Sequence, residues 1–174
     1  ASSDYPLRDV YKRQNLDQYQ DQNENELNQL KKLTLLLKPL AYEPDYFINS
    51  ASDLEEMAVD ILSTLKAIHN QNIVHRDIRL ANILYRDRFI LNDFEFCGYA
   101  NEEINFNTAQ SYKETKMDKK TKYQKFHDVY FLIEIVKEIS YEYDYKSGNL
   151  QTLIVKQDKI MSADEALEIL AAKN

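Results

Sequence analysis

The chain has 174 residues, a formal net charge of −7, and 44% hydrophobic residues. This length suits one domain with a sizeable core, and the acidic balance argues against a nucleic-acid or anionic-membrane surface over the whole protein. A single cysteine, Cys97, excludes an intrachain disulfide framework, and no apolar run reads as a signal peptide or membrane span. We therefore expect a cytoplasmic, intracellular location.

The first residues have the composition of a loose tail. Residues 1–26 are polar, without an apolar period that would anchor a packed element, and we interpret them as disordered, with residues 1–14 partly foreign to the natural gene. The folded domain is expected over residues 27–174. It opens with Leu27 to Leu40, which suits a buried strand or a helix, and Pro39 and Pro44 then exclude continuous regular helix.

Three helices are predicted from apolar spacing. The clearest is Asp53 to Asn70, whose apolar residues recur every three or four positions and whose start fits a capping box at Ser52 and Glu55. Phe126 to Ser140 is apolar nearly all round, which is typical of a helix in the middle of a domain. A last helix is expected from Ser162, after a turn at Ser147-Gly148-Asn149 and a short apolar run, Leu150 to Val155.

The stretch from Ile73 to Gly98 holds two carboxylates and one amide that suit magnesium beside a phosphate: Asp77, Asn82 and Asp93. Two short apolar pieces, Ile83 to Tyr85 and Phe89 to Asn92, flank a polar triplet and predict a tight hairpin. Such a hairpin would bring residues 82 and 93 to the same end, where one cation could touch both.

Two motifs here carry a family resemblance. His75-Arg76-Asp77, followed by four residues and Asn82, resembles the catalytic loop of protein kinases, and Asp93-Phe94-Glu95 resembles their metal-binding Asp-Phe-Gly triplet. The resemblance implies an α+β, mostly helical fold: a kinase-like large, C-terminal lobe with a short β-hairpin at the catalytic loop and the small lobe largely absent. Residues 27–174 would then comprise the hinge region and this lobe.

The resemblance implies ATP and Mg²⁺ as cofactors and a role for each residue. Asp77 would accept or orient the substrate hydroxyl proton, and Arg79 would stand where many protein kinases place a phosphate-contacting lysine. Asn82 and Asp93 would hold Mg²⁺ and, through it, the ATP phosphates. Taken singly, Asp77 could be a loop residue, Asn82 a turn residue and Asp93 a strand-end cap.

Three further residues are predicted to support the site. His75 adjoins apolar Ile73 and Val74, so a packed structural role is favoured over that of a base. Arg76 resembles the arginine that pairs with a phosphorylated activation segment. Asp128 resembles the aspartate that anchors the catalytic-loop backbone, although an acidic residue at a helix start can also be only a cap favoured by the helix dipole.

The part after Gly98 loses periodicity until about Lys122. It combines hydroxyl-bearing residues with lysines: Ser111, Tyr112, Thr115, Thr121 and Tyr123 among Lys113, Lys116, Lys119, Lys120 and Lys122. By position this resembles an activation segment; the alternatives are a solvated loop or a basic cluster that attracts a phosphorylated or nucleic-acid partner. Cys97, just before it, is expected to be a small buried residue.

Departures from the family pattern keep several functions open. Glu95 stands where the family usually has glycine, and with only two glycines the sequence contains no Gly-rich phosphate loop and no strand lysine for ATP. We therefore expect weak or undetectable MgATP binding by this chain. The first hypothesis is a protein kinase seen as an incomplete domain, and the second is an inactive, pseudokinase-like binding module. A small-molecule phosphotransferase is a less favoured third.

The expected partner is a protein substrate or a docked protein, without nucleic acid or membrane. The sequence leaves the oligomeric state open, and it leaves open the choice between serine, threonine and tyrosine as phosphate acceptor.

Overall fold

The computed structural model describes residues 41–102, 122–157 and 160–172. The chain divides into two units, Ala1–Tyr42 and Glu43–Asn174, and only residues 41 and 42 of the first belong to the described part. Several predictions fall outside the described residues: the tail, the segment from Leu27 to Leu40, Pro39, and the hydroxyl and lysine residues between 111 and 121. All of the helices and strands of the described residues lie in the second unit.

Helix α1 spans Ala51–Asn70 and buries one face, as its apolar spacing predicts. The cap, however, is Ser50 and not Ser52, because the Ser50 hydroxyl accepts a hydrogen bond from Asp53 N–H at 3.2 Å. Ser50 also donates to the Asp53 carboxylate at 2.9 Å. Ser52 lies inside the first turn, so the predicted capping box at Ser52 and Glu55 was wrong by two residues.

Helix α2 spans Lys125–Glu142 and is buried on most of its circumference, which confirms the prediction of a central helix. Its first turn is closed by a reciprocal cap in which Gln124 and His127 each bond the other's backbone. Ten of its side chains are buried, and the helix packs against α1 and against both shorter helices that follow. Burying a large apolar side chain contributes roughly 1.5–3 kcal/mol, so α2 is a main source of stability.

Two short helices complete the described fold. Helix α3 spans Gly148–Val155, with Ser147 as its cap, so the predicted turn at 147–149 is the start of a helix. Helix α4 spans Ala163–Ala171, and its capping box at Ser162 and Glu165 confirms the predicted start. None of the helices in the described residues is both long enough and apolar enough to cross a membrane.

The strands form two antiparallel pairs. β1 (Ile73–Val74) pairs with β4 (Gly98–Tyr99). β2 (Ile83–Tyr85) pairs with β3 (Phe89–Leu91), which confirms the predicted hairpin, one residue shorter at its end. Short 3₁₀ turns precede and follow the hairpin at Leu80–Asn82 and Phe94–Phe96, and another at Pro44–Phe47 packs beside β2.

Two predictions about single residues were wrong. Cys97 is exposed and not buried, because it ends the 3₁₀ turn at Phe96 in an extended conformation outside the core. The solvated-loop alternative is wrong for Tyr123, which is fully buried and whose hydroxyl bonds to Asp128 at 2.6 Å. Its partner lies on α2, so the burial depends on a contact that apolar spacing does not reveal.

Candidate active site

The hairpin places two of the predicted site residues at one end. Ile83 faces Leu91 in the register, and the Asn92 N–H donates to the carbonyl oxygen of Asn82 at 2.8 Å, extending the pairing by one step. Asn82 therefore enters the hairpin directly opposite the residue that precedes Asp93. The backbone thus brings residues 82 and 93 together as the spacing predicted, while a cation shared by their side chains remains a prediction.

The hairpin is held from two sides. On α1, the Asp60 carboxylate accepts a hydrogen bond from Phe89 N–H at 2.9 Å. From the turn before α1, the ring of Phe47 stacks on Tyr85 with centroids 4.0 Å apart. These contacts fix the strand pair against the helical part of the fold.

Asp77 and Asn82 are in direct contact. The Asn82 Nδ2 group donates both to the Asp77 carboxylate and to the Asp77 carbonyl oxygen, each at 2.8 Å. Both residues are buried, with 1% and 4% of their surfaces exposed. Because both bonds use Nδ2, the carbonyl oxygen Oδ1 of Asn82 is the atom that can ligate a cation.

Arg79 lies beside the Asp77 carboxylate. Its Nε is 3.2 Å from Asp77 Oδ2, close enough for an ion pair but without the geometry of a hydrogen bond within the described part of the chain. The side chain is 42% exposed. The charge of Arg79 is therefore close to Asp77, and its guanidinium is accessible from outside the loop.

Asp93 differs from Asp77 in having no bonded partner among the described residues. Its side chain is half-buried and makes no hydrogen bond or ion pair with any residue that the structure describes. Its backbone is left-handed, with φ 62° and ψ 70°, a conformation that Asp and Asn adopt more readily than most other residues. An unpaired carboxylate in a sparsely populated backbone conformation is a frequent property of ligand sites.

His75 is a packed residue, as its apolar neighbours predicted. It is fully buried, its Nδ1 accepts from Asp77 N–H at 3.3 Å, and its Nε2 donates to the Asn92 carbonyl oxygen at 3.0 Å. The ring of Phe94 meets it edge to face at 4.7 Å. His75 thereby connects the loop of Asp77 to the strand end before Asp93.

Asp128 gathers four hydrogen bonds in a fully buried position. Its carboxylate accepts from His75 N–H at 2.8 Å and from Arg76 N–H at 3.0 Å, so it contacts the loop backbone and is not merely a cap of its own helix. It also bonds His69 Nε2 at 2.9 Å and the Tyr123 hydroxyl at 2.6 Å. We call Asp128 and its four donors, His69, the N–H groups of His75 and Arg76, and the Tyr123 hydroxyl, the Asp128 junction.

Two members of the Asp128 junction were missed from the sequence. His69 follows Leu65 by four residues on the buried face of α1, so helical spacing could have placed it inward. Tyr123 carried no such signal, since it precedes the helix. Neighbouring His127 is also buried, and this burial lowers its pKa below the usual 6.5 against the opposing effect of the Asp128 charge.

The predicted pairing of Arg76 with a phosphorylated residue falls on residues 103–121, outside the described residues, so it stays a prediction. The Arg76 Nη2 donates to the Tyr99 carbonyl oxygen and to the carboxylate of Glu102. Glu102 was not singled out in the sequence, where it is one of many exposed acidic residues.

One face of the hairpin carries an apolar pair that sequence reasoning also missed. Leu84 and Ile90 are opposite each other in the register, and their neighbours Ile83 and Leu91 point to the buried side. Ile90 is 38% exposed and Leu84 is half-buried. The outward face next to Asn82 and Asp93 is therefore apolar and accessible.

Known proteins resemble this chain over limited stretches. It is 37% identical over 65 residues to "Serine/threonine-protein kinase PAK 5" of Rattus norvegicus, a match covering 34% of this chain and 9% of that protein. It is 41% identical over 44 residues to the "Dual serine/threonine and tyrosine protein kinase" of Apis mellifera, covering 24% of this chain and 4% of that protein.

A viral relative matches a stretch of similar length. "Serine/threonine-protein kinase 1" of Lymantria dispar multicapsid nuclear polyhedrosis virus is 29% identical over 62 residues, which is 34% of this chain and 23% of that protein. In each of these three relatives, the match spans less than a quarter of the protein.

The wider comparison is with a domain family. The protein kinase domain family matches residues 23–168, which is most of the chain and includes the hairpin, the loop of Asp77 and the Asp128 junction. The chain therefore belongs to the protein kinase family.

Proposed function

We propose that this chain is the large-lobe part of an ATP-dependent protein kinase that transfers a phosphoryl group from MgATP to a protein hydroxyl. The observation that carries the proposal is the contact of buried Asp77 with Asn82 at the end of a hairpin that leads to unpaired Asp93. Kinases in general use ATP and Mg²⁺. The acidic, cysteine-poor composition supports an intracellular location as part of the same proposal.

The donor set fits magnesium. Mg²⁺ prefers oxygen ligands and keeps some of its waters, and Asn82 Oδ1 with the Asp93 carboxylate offers two kinds of oxygen at one end of the hairpin. When bound, the ion would neutralise charge on the ATP phosphates. The protein's own part is to hold the two ligands at a fixed separation through the backbone bond between Asn82 and Asn92.

Asp77 is suited to orient a substrate hydroxyl. Its carboxylate is held by Asn82 and by the nearby charge of Arg79, and it is rigidly placed because its loop is bonded to His75. Positioning of this kind accounts for much of the catalysis in phosphoryl transfer. The exposed guanidinium of Arg79 would attract the negative phosphoryl group, with the flat geometry of arginine in place of a lysine point charge.

The apolar face of Leu84 and Ile90 would accept the adenine base. Nucleotide bases bind to accessible apolar surfaces beside the polar groups that hold the phosphates, and this face adjoins Asn82 and Asp93 on the same hairpin. It extends the proposed site beyond the residues that the sequence motifs identify.

A non-catalytic binding module is the second candidate. It is favoured by Glu95 in place of glycine and by the presence of only two glycines in the sequence, which leaves no Gly-rich phosphate loop within it. In that case the fold would serve to dock a protein partner, and Asp77 would not act on a substrate hydroxyl.

Measurement of MgATP binding and protein phosphorylation separates the two candidates. For the 174-residue chain we expect calorimetry to show MgATP binding weaker than micromolar. For the protein encoded by the complete reading frame we expect phosphorylation of a protein substrate, with Asp77→Asn lowering turnover by at least about a hundredfold. Asp93→Asn should abolish MgATP binding by that protein.

Asp87→Asn is the matched control, because Asp87 lies at the tip of the same hairpin with a 92% exposed side chain, and it should change neither result. MgATP binding without phosphorylation would favour the binding module. Unchanged turnover in Asp77→Asn, or unchanged MgATP affinity in Asp93→Asn, would contradict the proposed roles.

A further inference from the structure

The guanidinium of Arg76 is held by groups of the chain itself. Its Nη2 donates to the Tyr99 carbonyl oxygen at 2.9 Å and to the Glu102 carboxylate at 2.8 Å. The Arg76 side chain is 13% exposed and the Glu102 side chain is 50% exposed, so the pair is open to water on the Glu102 side. Both bonds have the charged guanidinium as donor, but only the bond to Glu102 joins opposite charges, which makes Glu102 the principal partner of Arg76.

The Glu102 carboxylate accepts two hydrogen bonds. Besides Arg76, it accepts a hydrogen bond from Tyr99 N–H at 3.1 Å. The bond from Arg76 and then the bond from Tyr99 lower the pKa of Glu102 below its usual 4.5. Glu102 is therefore ionised at neutral pH, and the bond from Tyr99 N–H orients its carboxylate toward Arg76.

Gly98 in strand β4 has no side chain and so leaves room for the Arg76 guanidinium. A Cβ atom at Gly98 would lie 2.4 Å from Cζ and both Nη atoms of Arg76, a distance at which atoms overlap. The guanidinium thus lies directly against the Gly98 backbone. Any larger residue at position 98 would move the end of the Arg76 side chain away from Glu102.

A second route connects Glu102 to the same arginine. The carbonyl oxygen of Glu102 accepts from Tyr123 N–H at 3.2 Å, and Asn101 N–H donates to the Tyr123 carbonyl oxygen at 2.7 Å. The Tyr123 hydroxyl bonds to Asp128, whose carboxylate also holds Arg76 N–H. Asp128 therefore holds the backbone of Arg76, and Glu102 holds its side chain.

This double hold matters because Arg76 precedes Asp77 in a left-handed conformation, with φ 70°. A non-glycine residue stays in that region when surrounding contacts over-determine it. The contacts at Arg76 consequently fix the backbone on which the Asp77 carboxylate is mounted.

We propose that Glu102 is a positioning residue for Asp77, acting through Arg76 in the place where the family resemblance puts a phosphorylated residue. The importance of Asp77 rests on the function proposed above, whereas the positioning itself is testable without nucleotide.

Amide hydrogen exchange of the 174-residue chain tests the proposal. In Glu102→Gln we expect the protection of the Arg76, Asp77 and Tyr99 amides to fall about two- to fivefold. The matched control is Asp164→Asn, since Asp164 on α4 forms a similarly exposed ion pair with Lys66 on α1: side-chain exposure is 53% for Asp164 and 50% for Glu102. That control should leave the three amides unchanged.

A second variant breaks the pair without removing a charge. Gly98→Ala adds one methyl group and should displace the guanidinium, giving the same loss of protection at Arg76 and Asp77. Full protection of Asp77 in both Glu102→Gln and Gly98→Ala would overturn the proposal, whether or not the chain binds nucleotide.

Chemical rescue distinguishes positioning by an anion from general loosening of the fold. In Glu102→Ala, inorganic phosphate should restore protection at Arg76 and Asp77, while sodium chloride at equal ionic strength should not. The wild-type chain should be insensitive to phosphate, because Glu102 already occupies the guanidinium. Equal effects of phosphate and chloride on Glu102→Ala would contradict the assignment.

Discussion

Asp93 and Asp128 are the same kind of side chain in opposite surroundings. Asp128 is fully buried and accepts four hydrogen bonds, two of them from the backbone of the Asp77 loop. Asp93 is half-buried, has a left-handed backbone and has no partner among the residues that the structure describes. The two carboxylates therefore differ in how much of their bonding capacity the protein itself uses.

The difference separates a structural role for Asp128 from a ligand-binding role for Asp93. A buried carboxylate must be compensated by donors, or its desolvation destabilises the fold, and Asp128 meets this condition entirely with protein groups. Asp93 keeps its oxygen lone pairs for a ligand. Substitutions should consequently affect stability at Asp128 and ligand binding at Asp93.

The largest effect is expected for Asp128→Ala. It leaves the N–H groups of His75 and Arg76, the Tyr123 hydroxyl and His69 without their acceptor, and each unsatisfied buried group costs about 1–3 kcal/mol. We expect a loss of at least about 3 kcal/mol in the free energy of unfolding, measured by urea denaturation. Asp87→Ala, at the exposed tip of the hairpin, is the control, and a similarly small effect of both variants would refute the central role of the Asp128 junction.

Tyr123→Phe should have an intermediate effect. It removes one hydroxyl donor to Asp128 and retains the buried ring, and a hydrogen bond to a charged group contributes about 1.5–3 kcal/mol. We expect the free energy of unfolding to fall by about 1–2 kcal/mol in the same denaturation assay. Tyr141→Phe, at a residue 65% exposed, should be neutral, and equal stability of both variants would show that the Tyr123 hydroxyl contributes nothing.

A smaller, pH-dependent effect on folding stability is expected at His127, which lies beside Asp128. Burial lowers its folded-state pKa below 6.5, so the unfolded chain takes up the proton first as the pH falls. Stability is therefore present above pH 6.5 and is lost as the pH falls through the lowered folded pKa. His127→Gln, which keeps an acceptor for Gln124 N–H, should flatten this part of the stability curve between about pH 7.5 and pH 5; parallel curves would contradict it.

The smallest effect on stability is expected at Asp93. Asparagine adopts the left-handed conformation as readily as aspartate, and no protein partner is lost within the described residues. Asp93→Asn should therefore change the free energy of unfolding by less than about 0.5 kcal/mol. A loss comparable to that of Asp128→Ala in calorimetric or urea unfolding would mean that Asp93 supports the fold after all.

Local sequence patterns were sufficient for the elements of the fold that depend on nearby residues. The apolar period of α1, the all-round apolarity of α2, the capping box of α4 and the hairpin around Arg86 to Arg88 all follow from spacing within one element. The cap of α1 was misplaced because Ser50 and Ser52 are both followed three residues later by an acidic residue, so the local pattern favours neither.

The sequence by itself determined the order of the motif residues and their assignment to a loop and a hairpin. Only the tertiary structure decided their partners: Glu102 for Arg76, Tyr123 and His69 for Asp128, and, within the part of the chain that the structure describes, none for Asp93. The reason is physical. Periodicity reports which face of an element is apolar, whereas a hydrogen bond between groups 26 or 59 residues apart depends on how separate elements meet in space.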